Sequence, residues 1–270
     1  MAQELATTNK FQVVLYSEAV QNRFTEILDK GAASFVSALL SIYNGNPQLQ
    51  KCSTRSILGA AGLAATVKLP LNPSFGFAYI VPYGAEAQFQ IGWKGLVQLA
   101  HRTGQYVAMT TKTVFEGEIK EFDFLTELPI RGEKISDKIV GYLAYFKLAN
   151  GFEKCLYMTV EEIRTHAQNF SKSYSYDLKS GKKSSVWSSN FDAMAKKTVL
   201  KLLLGKWGIV SVEMQQVMQA DQSVVDKNTF TYADNGGKSV EREPLEVSDA
   251  EMPAEIIDAE TGEVLEPEEN

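Results

Sequence analysis

Apolar residues recur at helical spacing over the first third of the chain. Between residues 18 and 43 they occupy every third or fourth position, with an interruption at Lys30-Gly31. Ser53 is placed to cap a further helix that ends near Lys68. The segment Leu69-Pro-Leu-Asn-Pro73 stops that helix, because proline cannot continue a helix. The pattern therefore predicts that this third of the chain is helical.

The middle of the chain changes to alternating apolar and polar positions, which is the pattern of half-buried strands. The predicted strands are Phe77–Pro82, Ala87–Gly92, Gln105–Phe115, Ile139–Leu148 and Phe152–Met158. Turn residues at Tyr83-Gly84 and Asn150-Gly151 join two pairs of these strands as hairpins. A helix over Trp93–Thr103 separates the second strand from the third, and Gly104 suits the left-handed residue that closes it.

Helical spacing returns in the C-terminal half. Thr159-Val-Glu-Glu162 is a capping box that begins a helix ending near Phe170. Ser171–Ser185 is polar and rich in lysine, and it is predicted to be a mobile basic loop. A long helix is predicted over Val186–Leu204 and a further helix over Ser211–Asp226.

Together these elements predict an α+β fold, with central β-hairpins or a small antiparallel sheet flanked by helices. The chain has 270 residues, of which 44% are hydrophobic, and this suffices for one main body with appendages. Residues 1–227 are predicted to form that body. Residues 228–270 lack periodicity, become acidic and contain scattered prolines, so they are predicted to be a disordered acidic C-terminal tail.

Charge is distributed unevenly between the predicted body and the tail. The whole chain carries a net charge of −6, but residues 241–270 contain twelve acids against Arg242 alone, a net of −11. The first 240 residues therefore carry +5. A basic body suits a polyanionic partner, whereas an acidic tail either recognises a partner or only improves solubility. The composition leaves these two roles of the tail open.

Several classes of protein are disfavoured by the sequence. The longest apolar stretch, near Ile57–Val67, is broken by glycines and is shorter than the ~18 residues of a membrane span. The first residues lack the basic and apolar segments of a secretory signal, so a soluble cytoplasmic protein is predicted. Cys52 and Cys155 form no C-x-x-C motif. Gly237-Lys238-Ser239 lacks the earlier glycine of a phosphate-binding loop, and no cofactor is predicted.

Candidates for catalytic chemistry are few. The chain has two histidines, His101 and His166, and neither lies near a nucleophile motif such as G-x-S-x-G. Glu118-Ile-Lys120 resembles the E-x-K element of metal-dependent nucleases, with further acids close by in the sequence. A metal site needs ligands from separate elements, so this sequential arrangement favours a solvated hairpin edge. No catalytic or metal-binding residue is predicted, and a nuclease using Glu118 and Lys120 remains the alternative function.

Positive charges concentrate in two parts of the predicted body. The first part follows the hairpin at Tyr83-Gly84, and the second extends from Arg164 to Lys206. Neighbouring lysines on a helix repel one another unless a polyanion neutralises them, and interleaved aromatic residues can stack on bases. The candidate DNA-binding residues are Lys94, Arg102, Lys112, Arg164, Lys172, Lys182, Lys196, Lys197 and Lys201. Lys196 has an alternative partner in Asp192, one helical turn earlier. These residues predict a protein that binds single-stranded nucleic acid and is not an enzyme.

Two motifs resemble those of a known protein family. The first is LPLNPSFGFAYIVPY over residues 69–83, followed by AQFQIGWKGLVQLAHRTGQ over residues 87–105. The second is Val186-Trp-x₆-Met194-Ala-Lys-Lys-Thr198 in the predicted late helix. With both motifs in this order, the chain resembles the phage RecT family of single-strand annealing proteins, the RecT and Red beta type of recombinase. The resemblance covers roughly residues 18–225.

The resemblance implies a function that composition alone does not. Proteins of this family bind single-stranded DNA without sequence preference and assemble on it as rings or helical filaments. They pair complementary strands through a duplex annealing intermediate in homologous recombination, without ATP. They act beside a phage 5′→3′ exonuclease in the cytoplasm of the bacterial host, where the host single-strand binding protein is a further candidate partner. We therefore expect residues 1–227 to bind DNA, anneal it and self-assemble.

Overall fold

The computed structural model describes residues 10–221 and, beyond them, the backbone of five short strands. These strands are Val224–Asp226, Thr229–Thr231, Ser239–Glu241, Ile256–Ile257 and Val264–Leu265. The predicted disorder of residues 228–270 falls outside the described residues, apart from the backbone of the last four strands. It stays a prediction, as does the division of the chain at residue 227.

The N-terminal third is helical, as its pattern predicts. The helical segments are residues 10–15, α1 (Glu18–Leu28), α2 (Ala32–Asn44) and α3 (Thr54–Thr66). A 3₁₀ turn over Asp29–Gly31 lies at the predicted interruption between α1 and α2. Ser53 caps α3, because its hydroxyl accepts a hydrogen bond from the backbone N–H of Ser56 at 3.2 Å. The rings of Phe11 and Tyr43 stack with centroids 4.0 Å apart, which joins the first segment to the end of α2.

A β-hairpin and a helix follow the proline-rich stop. They are β1 (Ala78–Tyr83), β2 (Glu86–Ile91) and α4 (Trp93–Arg102). The hairpin packs on α3, and α4 packs on the late helix α8 (Phe191–Trp207). Gly92 and Gly95 permit a close approach at the start of α4, since a methyl group on either would overlap the carbonyl oxygen of Gly76 or Phe77. The first motif of the chain thus places α4 tightly against the hairpin.

A three-stranded antiparallel sheet forms the centre of the protein. The strands after α4 are β3 (Tyr106–Phe115), β4 (Ile119–Phe122), β5 (Pro129–Arg131), β6 (Ile139–Leu148) and β7 (Glu153–Thr159). In the central sheet β6 lies between β3 and β7. Across this sheet Lys112 pairs with Leu143, which in turn pairs with Tyr157. The predicted turn between β6 and β7 is confirmed, with Gly151 at a φ of +91°. One face of the sheet packs on α8.

Strands β4 and β5 pair only with each other, in a separate hairpin that we call the arm (residues 116–138). The arm lies against the face of the sheet that is turned away from α8. There Val114, Leu143 and Cys155 form a small buried cluster, and Ile119 and Leu128 of the arm pack on it. The sequence analysis assigned no strands to this region.

The C-terminal half is helical, but its elements differ from the prediction in three places. The helices are α5 (Val160–Phe170), α6 (Lys172–Ser180), α7 (Val186–Ser189), α8 and α9 (Val212–Ala220). The capping box at Thr159 and Glu162 is confirmed. The expected mobile loop over 171–185 is wrong in its first two thirds, because α6 occupies it between the cap Ser171 and the left-handed Gly181.

The second and third differences concern the ends of helices. The single helix expected over 186–204 is two helices, because Asn190 leaves the helical conformation and caps α8 with its side chain. The helix expected to reach Asp226 ends at Ala220, and residues 224–226 are a strand.

Helix α8 is the centre of the hydrophobic core. Its buried residues contact the sheet, α4 and α9, so the helix is enclosed on most sides. They are Met194, Ala195, Lys197, Thr198, Val199, Leu200, Leu203 and Leu204. The sequence analysis did not anticipate that Lys197 belongs to this set. Among the described helices, none is long and apolar enough to cross a membrane.

Candidate nucleic-acid interface

Four lysines stand exposed on α6 and on the turn that follows it. This α6 lysine cluster consists of Lys172, Lys179, Lys182 and Lys183. Asp177, the one acid in this stretch of sequence, is buried on the opposite side of α6. The cluster therefore presents positive charge to solvent, because the only acidic side chain of residues 172–183 is buried.

Asp177 also explains why this polar segment is ordered. Its carboxylate accepts hydrogen bonds from the hydroxyls of Ser184 at 2.7 Å and Ser188 at 2.6 Å, and from the backbone N–H of Ser185 at 2.8 Å. The Ser188 hydrogen bond, with those of the other serines, holds the pKa of Asp177 well below its usual range. The carboxylate thus ties α6 to the start of α7 and fixes the loop that carries Lys182.

An exposed aromatic ring accompanies the α6 lysine cluster. The side chain of Tyr176 is 55% exposed, and Nζ of Lys182 lies 5.9 Å from its ring centroid. A cation above an aromatic face combines a phosphate-binding charge with a surface on which a base can stack. Trp187 and Tyr106, in contrast, are buried, so these aromatic residues belong to the core.

A second basic group lies where α5 meets the start of α8. Arg164 is exposed, and its guanidinium carbon lies 5.8 Å from the ring centroid of Phe191. Lys196 pairs with Asp192 at 2.7 Å, the alternative that the sequence left open. Asp192 also accepts a hydrogen bond from the hydroxyl of Thr113 at 2.9 Å. Asp192 thus anchors α8 on the edge strand β3, and it also holds the ammonium group of Lys196.

The pKa values around Asp192 follow from its surroundings. Burial would raise the pKa of Asp192, but hydrogen bonds from Lys196, Thr113 and Tyr142 outweigh it and lower the pKa. Burial, together with the negative charge of Asp192, raises the pKa of Tyr142 to about 12. Tyr142 therefore stays protonated and Asp192 stays ionised at neutral pH.

Lys94 and Lys112 are exposed on two other elements. Lys94 lies in the first turn of α4, with Nζ 6.0 Å from the ring centroid of Trp93. Lys112 is on the edge strand β3, in the row of the sheet that includes Leu143. The sequence-predicted cations thus lie on several elements.

Lys197 and Lys201 point into the protein. Lys197 is 5% exposed, and its Nζ lies 2.8 Å from Oδ1 of Asp221. Nζ of Lys201 lies 3.1 Å from Oδ2 of the same carboxylate, which also accepts a hydrogen bond from the backbone N–H of Ile91 at 3.1 Å. The predicted DNA contact of Lys197 would need an exposed ammonium group, whereas α8 is enclosed on the side that carries Lys197. Lys201 is engaged by the same carboxylate and is mostly buried.

Asp221 is the centre of this buried ionic cluster. Burial alone would raise the pKa of Asp221, but the charges of Lys197 and Lys201 outweigh burial and lower it. The carboxylate is therefore ionised, and it joins α8 to β2 and to the end of α9 through a single side chain. Spacing within α8 could not reveal this partner, which follows Lys197 by 24 residues.

Arg102 has a structural contact as well. Its guanidinium donates hydrogen bonds to the backbone carbonyls of Val67 at 2.6 Å and Lys68 at 3.0 Å, immediately after α3. Carbonyl groups at a helix C-terminus lack intrahelical partners, and an arginine satisfies them well. Arg102 thus joins α4 to α3, and its predicted DNA contact would compete with these bonds.

Trp207 is one of the aromatic residues interleaved with the basic clusters, but sequence reasoning missed one of its cationic partners. Trp207, at the end of α8, is 43% exposed, and Nζ of Lys154 and of Lys206 lie 5.0 and 5.5 Å from its ring centroid. Phe152 lies beside it, with ring centroids 6.5 Å apart. Lys154 comes from β7, so only the sheet brings it to the helix end. Trp207 and Lys206 were visible in the sequence, but the approach of Lys154 was not.

The acids near the E-x-K element are engaged within the arm. Glu118 accepts a hydrogen bond from the backbone N–H of Phe115 at 2.8 Å, and Glu116 accepts one from the hydroxyl of Ser136 at 2.8 Å. Within residues 10–221 and the short strands beyond them, no group of three or more His, Cys, Asp or Glu could hold a metal ion. The observed role of Glu118 is thus to fix the turn between β3 and β4.

Comparison with known proteins identifies the family. A model of the RecT family matches residues 33–233, which is well over half of the chain. The chain belongs to the RecT family. An uncharacterised protein of Bacillus subtilis (strain 168), YqaK, is 41% identical over 243 residues, which are 89% of this chain and 82% of YqaK. Protein RecT of Escherichia coli (strain K12) is 28% identical over 187 residues, or 65% of this chain and 66% of that protein.

Membership of the RecT family confirms the resemblance seen in the two motifs. It implies a function in recombination by strand annealing, together with binding of single-stranded DNA and self-assembly. RecT-family proteins are annealing proteins rather than enzymes in the catalytic sense. The α+β prediction is confirmed by the small antiparallel sheets flanked by helices.

Proposed function

We propose that this RecT-family protein binds single-stranded DNA without sequence preference and anneals complementary strands without ATP, as a homo-oligomer in phage recombination. The observation that supports DNA binding best is the α6 lysine cluster. Its four lysines are exposed and held on an ordered segment, while Asp177 is turned inside. Cations on a fixed surface bind phosphates of any sequence, because every nucleotide carries the same charge.

The contact residues follow from which predicted cations are exposed and are not already bonded to other groups of the protein, as Arg102 is. We assign phosphate contacts to Lys94, Lys112, Arg164, Lys172 and Lys182. Lys196 contributes through a side chain that is 25% exposed, while Arg102, Lys197 and Lys201 support the fold. Tyr176 and Trp207 are the proposed stacking surfaces, since each is exposed beside at least one lysine.

Annealing needs no covalent chemistry. A duplex is favourable once two complementary strands meet, and the barriers are folded-back single strands and mutual phosphate repulsion. A surface that neutralises phosphates and stacks only some bases keeps a strand extended with base edges free. An oligomer repeats that surface along the strand, so a long stretch of DNA can be held extended without energy from ATP.

The proposed partners follow from the source of single strands. A 5′→3′ exonuclease of the same phage would supply the 3′-ended strand on which this protein assembles, and host single-strand binding protein would occupy the complementary strand. The acidic residues of 241–270 are suited to protein contacts rather than to phosphate, because the net charge of −11 repels DNA. Truncation after Asn228 is therefore expected to leave annealing of purified oligonucleotides intact.

A salt titration tests the DNA-binding surface. Affinity for a fluorescent oligo-dT is measured by anisotropy across a range of salt concentrations for the wild-type protein and for the double variant K172A/K182A. The double variant is expected to bind oligo-dT more weakly and to lower the slope of log K against log salt by about 1.4, or ~0.7 per lost phosphate contact. A matched variant, K30A/K51A, removes two exposed lysines from the 3₁₀ turns on either side of α2 and should leave the slope unchanged. Equal slopes for all three proteins would contradict the assignment.

A further inference from the structure

The tip of the arm exposes two large apolar side chains. Phe124 is 94% exposed and Leu125 is 85% exposed, at the far end of a hairpin that projects from the sheet. Large apolar residues that stand together on a surface usually mark an interaction site. Phe124 and Leu125 are also the most exposed large apolar side chains among the residues described.

The tip is held in one conformation by its own hydrogen bonds. Oδ1 of Asp123 accepts from the backbone N–H groups of Leu125 at 3.0 Å and Thr126 at 2.8 Å, and from the Thr126 hydroxyl at 2.8 Å. Glu127 pairs with Lys154 of β7 at 2.8 Å, and its carbonyl accepts from the Cys155 thiol at 3.0 Å. The two apolar side chains are therefore presented on a rigid support, which reduces the entropy lost on binding.

The charge of the arm is opposite to that of the body. The arm carries seven acids against four basic residues, a net of −3, whereas the other residues between 10 and 221 carry a net of +9. An acidic, apolar-tipped hairpin therefore complements a basic surface with apolar gaps. The body has such exposed apolar side chains away from the α6 segment, for example Val13 and Tyr16 in the N-terminal segment that also carries the exposed Lys10.

We propose that the arm tip docks on the basic body of a second copy of this chain and forms the subunit contact of the oligomer. This inference rests on the proposed function, because it names the contact of the assembly proposed there. Contact between two arms would oppose −3 to −3, so the arm meets a different surface of the next subunit. Such a head-to-tail contact uses the arm and the acceptor of every internal subunit and leaves one of each free at the two ends, so it produces rings or open filaments.

The charge also disfavours two other occupants of the tip. Residues 241–270 carry −11, and DNA carries one negative charge per nucleotide, so both are repelled by the arm. These two occupants remain distinguishable outcomes of the test. If residues 228–270 covered the tip, their removal would change assembly; if DNA covered it, an arm variant would lose affinity for a very short strand.

The test replaces both apolar side chains in the double variant F124S/L125S. Sedimentation velocity is recorded with oligo-dT of increasing length, and affinity for the shortest bound strand is measured by anisotropy. We expect the protein concentration needed for assembly to rise at least about tenfold in the variant, since a few anchor residues dominate the energy of such contacts. Its affinity for the shortest strand should equal that of the wild type. Its thermal midpoint should also be unchanged, because these side chains pack against little of their own subunit.

Two controls separate the possible causes. V212S removes another exposed apolar side chain, at the start of α9, and should assemble like the wild type. A mixture of wild type with F124S/L125S should contain shorter assemblies than wild type alone, because the variant can accept an arm but offers none. A reversal of arm charge in E121K/E133K should weaken assembly most strongly at low salt.

The outcomes distinguish this inference from the proposed function. If the wild type assembles on DNA and F124S/L125S assembles equally well, the arm contact is wrong while the proposed function stands. If F124S/L125S loses affinity for the shortest strand, the arm contacts DNA and the inference is wrong. If a chain ending at Asn228 fails to assemble while F124S/L125S assembles, the contact belongs to the removed residues. If the wild type stays monomeric on every oligo-dT, the proposed oligomer itself is wrong.

Discussion

Replacement of Asp221 by asparagine is expected to destabilise the protein by about 3–5 kcal/mol. The change removes the buried carboxylate that lies 2.8 Å from the ammonium group of Lys197 and 3.1 Å from that of Lys201. An amide oxygen can still accept the hydrogen bond from Ile91, so most of the loss is electrostatic. The substitution K197M should cost less, about 1–3 kcal/mol, because it removes one hydrogen bond to a carboxylate that keeps Lys201.

Urea unfolding measures both changes. Far-ultraviolet circular dichroism reports the helices, and tryptophan fluorescence reports the core through the buried Trp187. The free energy of unfolding is obtained by linear extrapolation, with the m-value checked for each variant. D137N is the matched control, since Asp137 is an almost fully exposed acid that also pairs with a lysine, and its loss should change stability little.

The same variant has a defined pH dependence. The pKa of Asp221 is lower in the folded state than the ~3.9 of an unfolded aspartate. Its contribution is therefore fully present above about pH 3.9 and is lost as the pH falls through the lower, folded-state pKa. The difference in unfolding free energy between wild type and D221N should be constant near neutrality and should narrow in acid.

DNA binding by K197M separates a structural lysine from a phosphate contact. If Lys197 contacted phosphate, K197M would retain its stability and lower the salt slope by ~0.7. The buried pair predicts the reverse, which is lower stability with an unchanged salt slope for the folded fraction. Retained stability with a lower slope would refute the reasoning about the Asp221 cluster.

Three further predictions concern Arg102, Trp207 and Lys182. The substitution R102A should lower the unfolding free energy by about 1 kcal/mol through the lost bonds at the end of α3, with the salt slope of DNA binding unchanged. W207A should weaken binding to oligo-dT by about 1–3 kcal/mol while W207F retains most of it, and equal affinities in a fluorescence titration would exclude stacking there. K182A alone should leave the thermal midpoint unchanged and weaken binding to all sequences equally; selective loss on one sequence would contradict a phosphate contact.

Local signals in the sequence predicted much of the fold. The turn at Asn150-Gly151 and the capping box at Thr159 and Glu162 depend on residues within a few positions of each other, and both occur as predicted. The break at Lys30-Gly31 between two helices is local as well. These features were readable because the hydrogen bonds that stabilise them close over short sequence distances.

The errors arose where distant residues decide the structure. The polar composition of 171–185 favoured a loop, but Asp177 organises the segment through three serines beyond α6. Lys197 was predicted to contact DNA because helical spacing shows only the geometry of α8. Its enclosure depends on the sheet, α4 and α9, and its partner Asp221 follows a further helix. No periodicity within one helix carries that information.

The candidate site was predictable in part for the same reason. A count of charges located the basic segments, and the structure leaves Lys94, Lys112, Arg164, Lys172 and Lys182 exposed. The count of charges could not identify lysines that pair with an acid inside the protein. It also could not show that Lys154 of β7 lies near Trp207, since the sheet creates that proximity.

Annealing of two complementary oligonucleotides in the absence of nucleotide tests the central claim most directly. Each strand carries one dye of an energy-transfer pair, and the reaction is run once with EDTA and once with Mg²⁺. We expect the protein to accelerate duplex formation equally under both conditions. A denaturing gel should recover both strands at full length. Strand degradation that requires Mg²⁺, with no acceleration of pairing in EDTA, would contradict the account and support the nuclease alternative at Glu118 and Lys120.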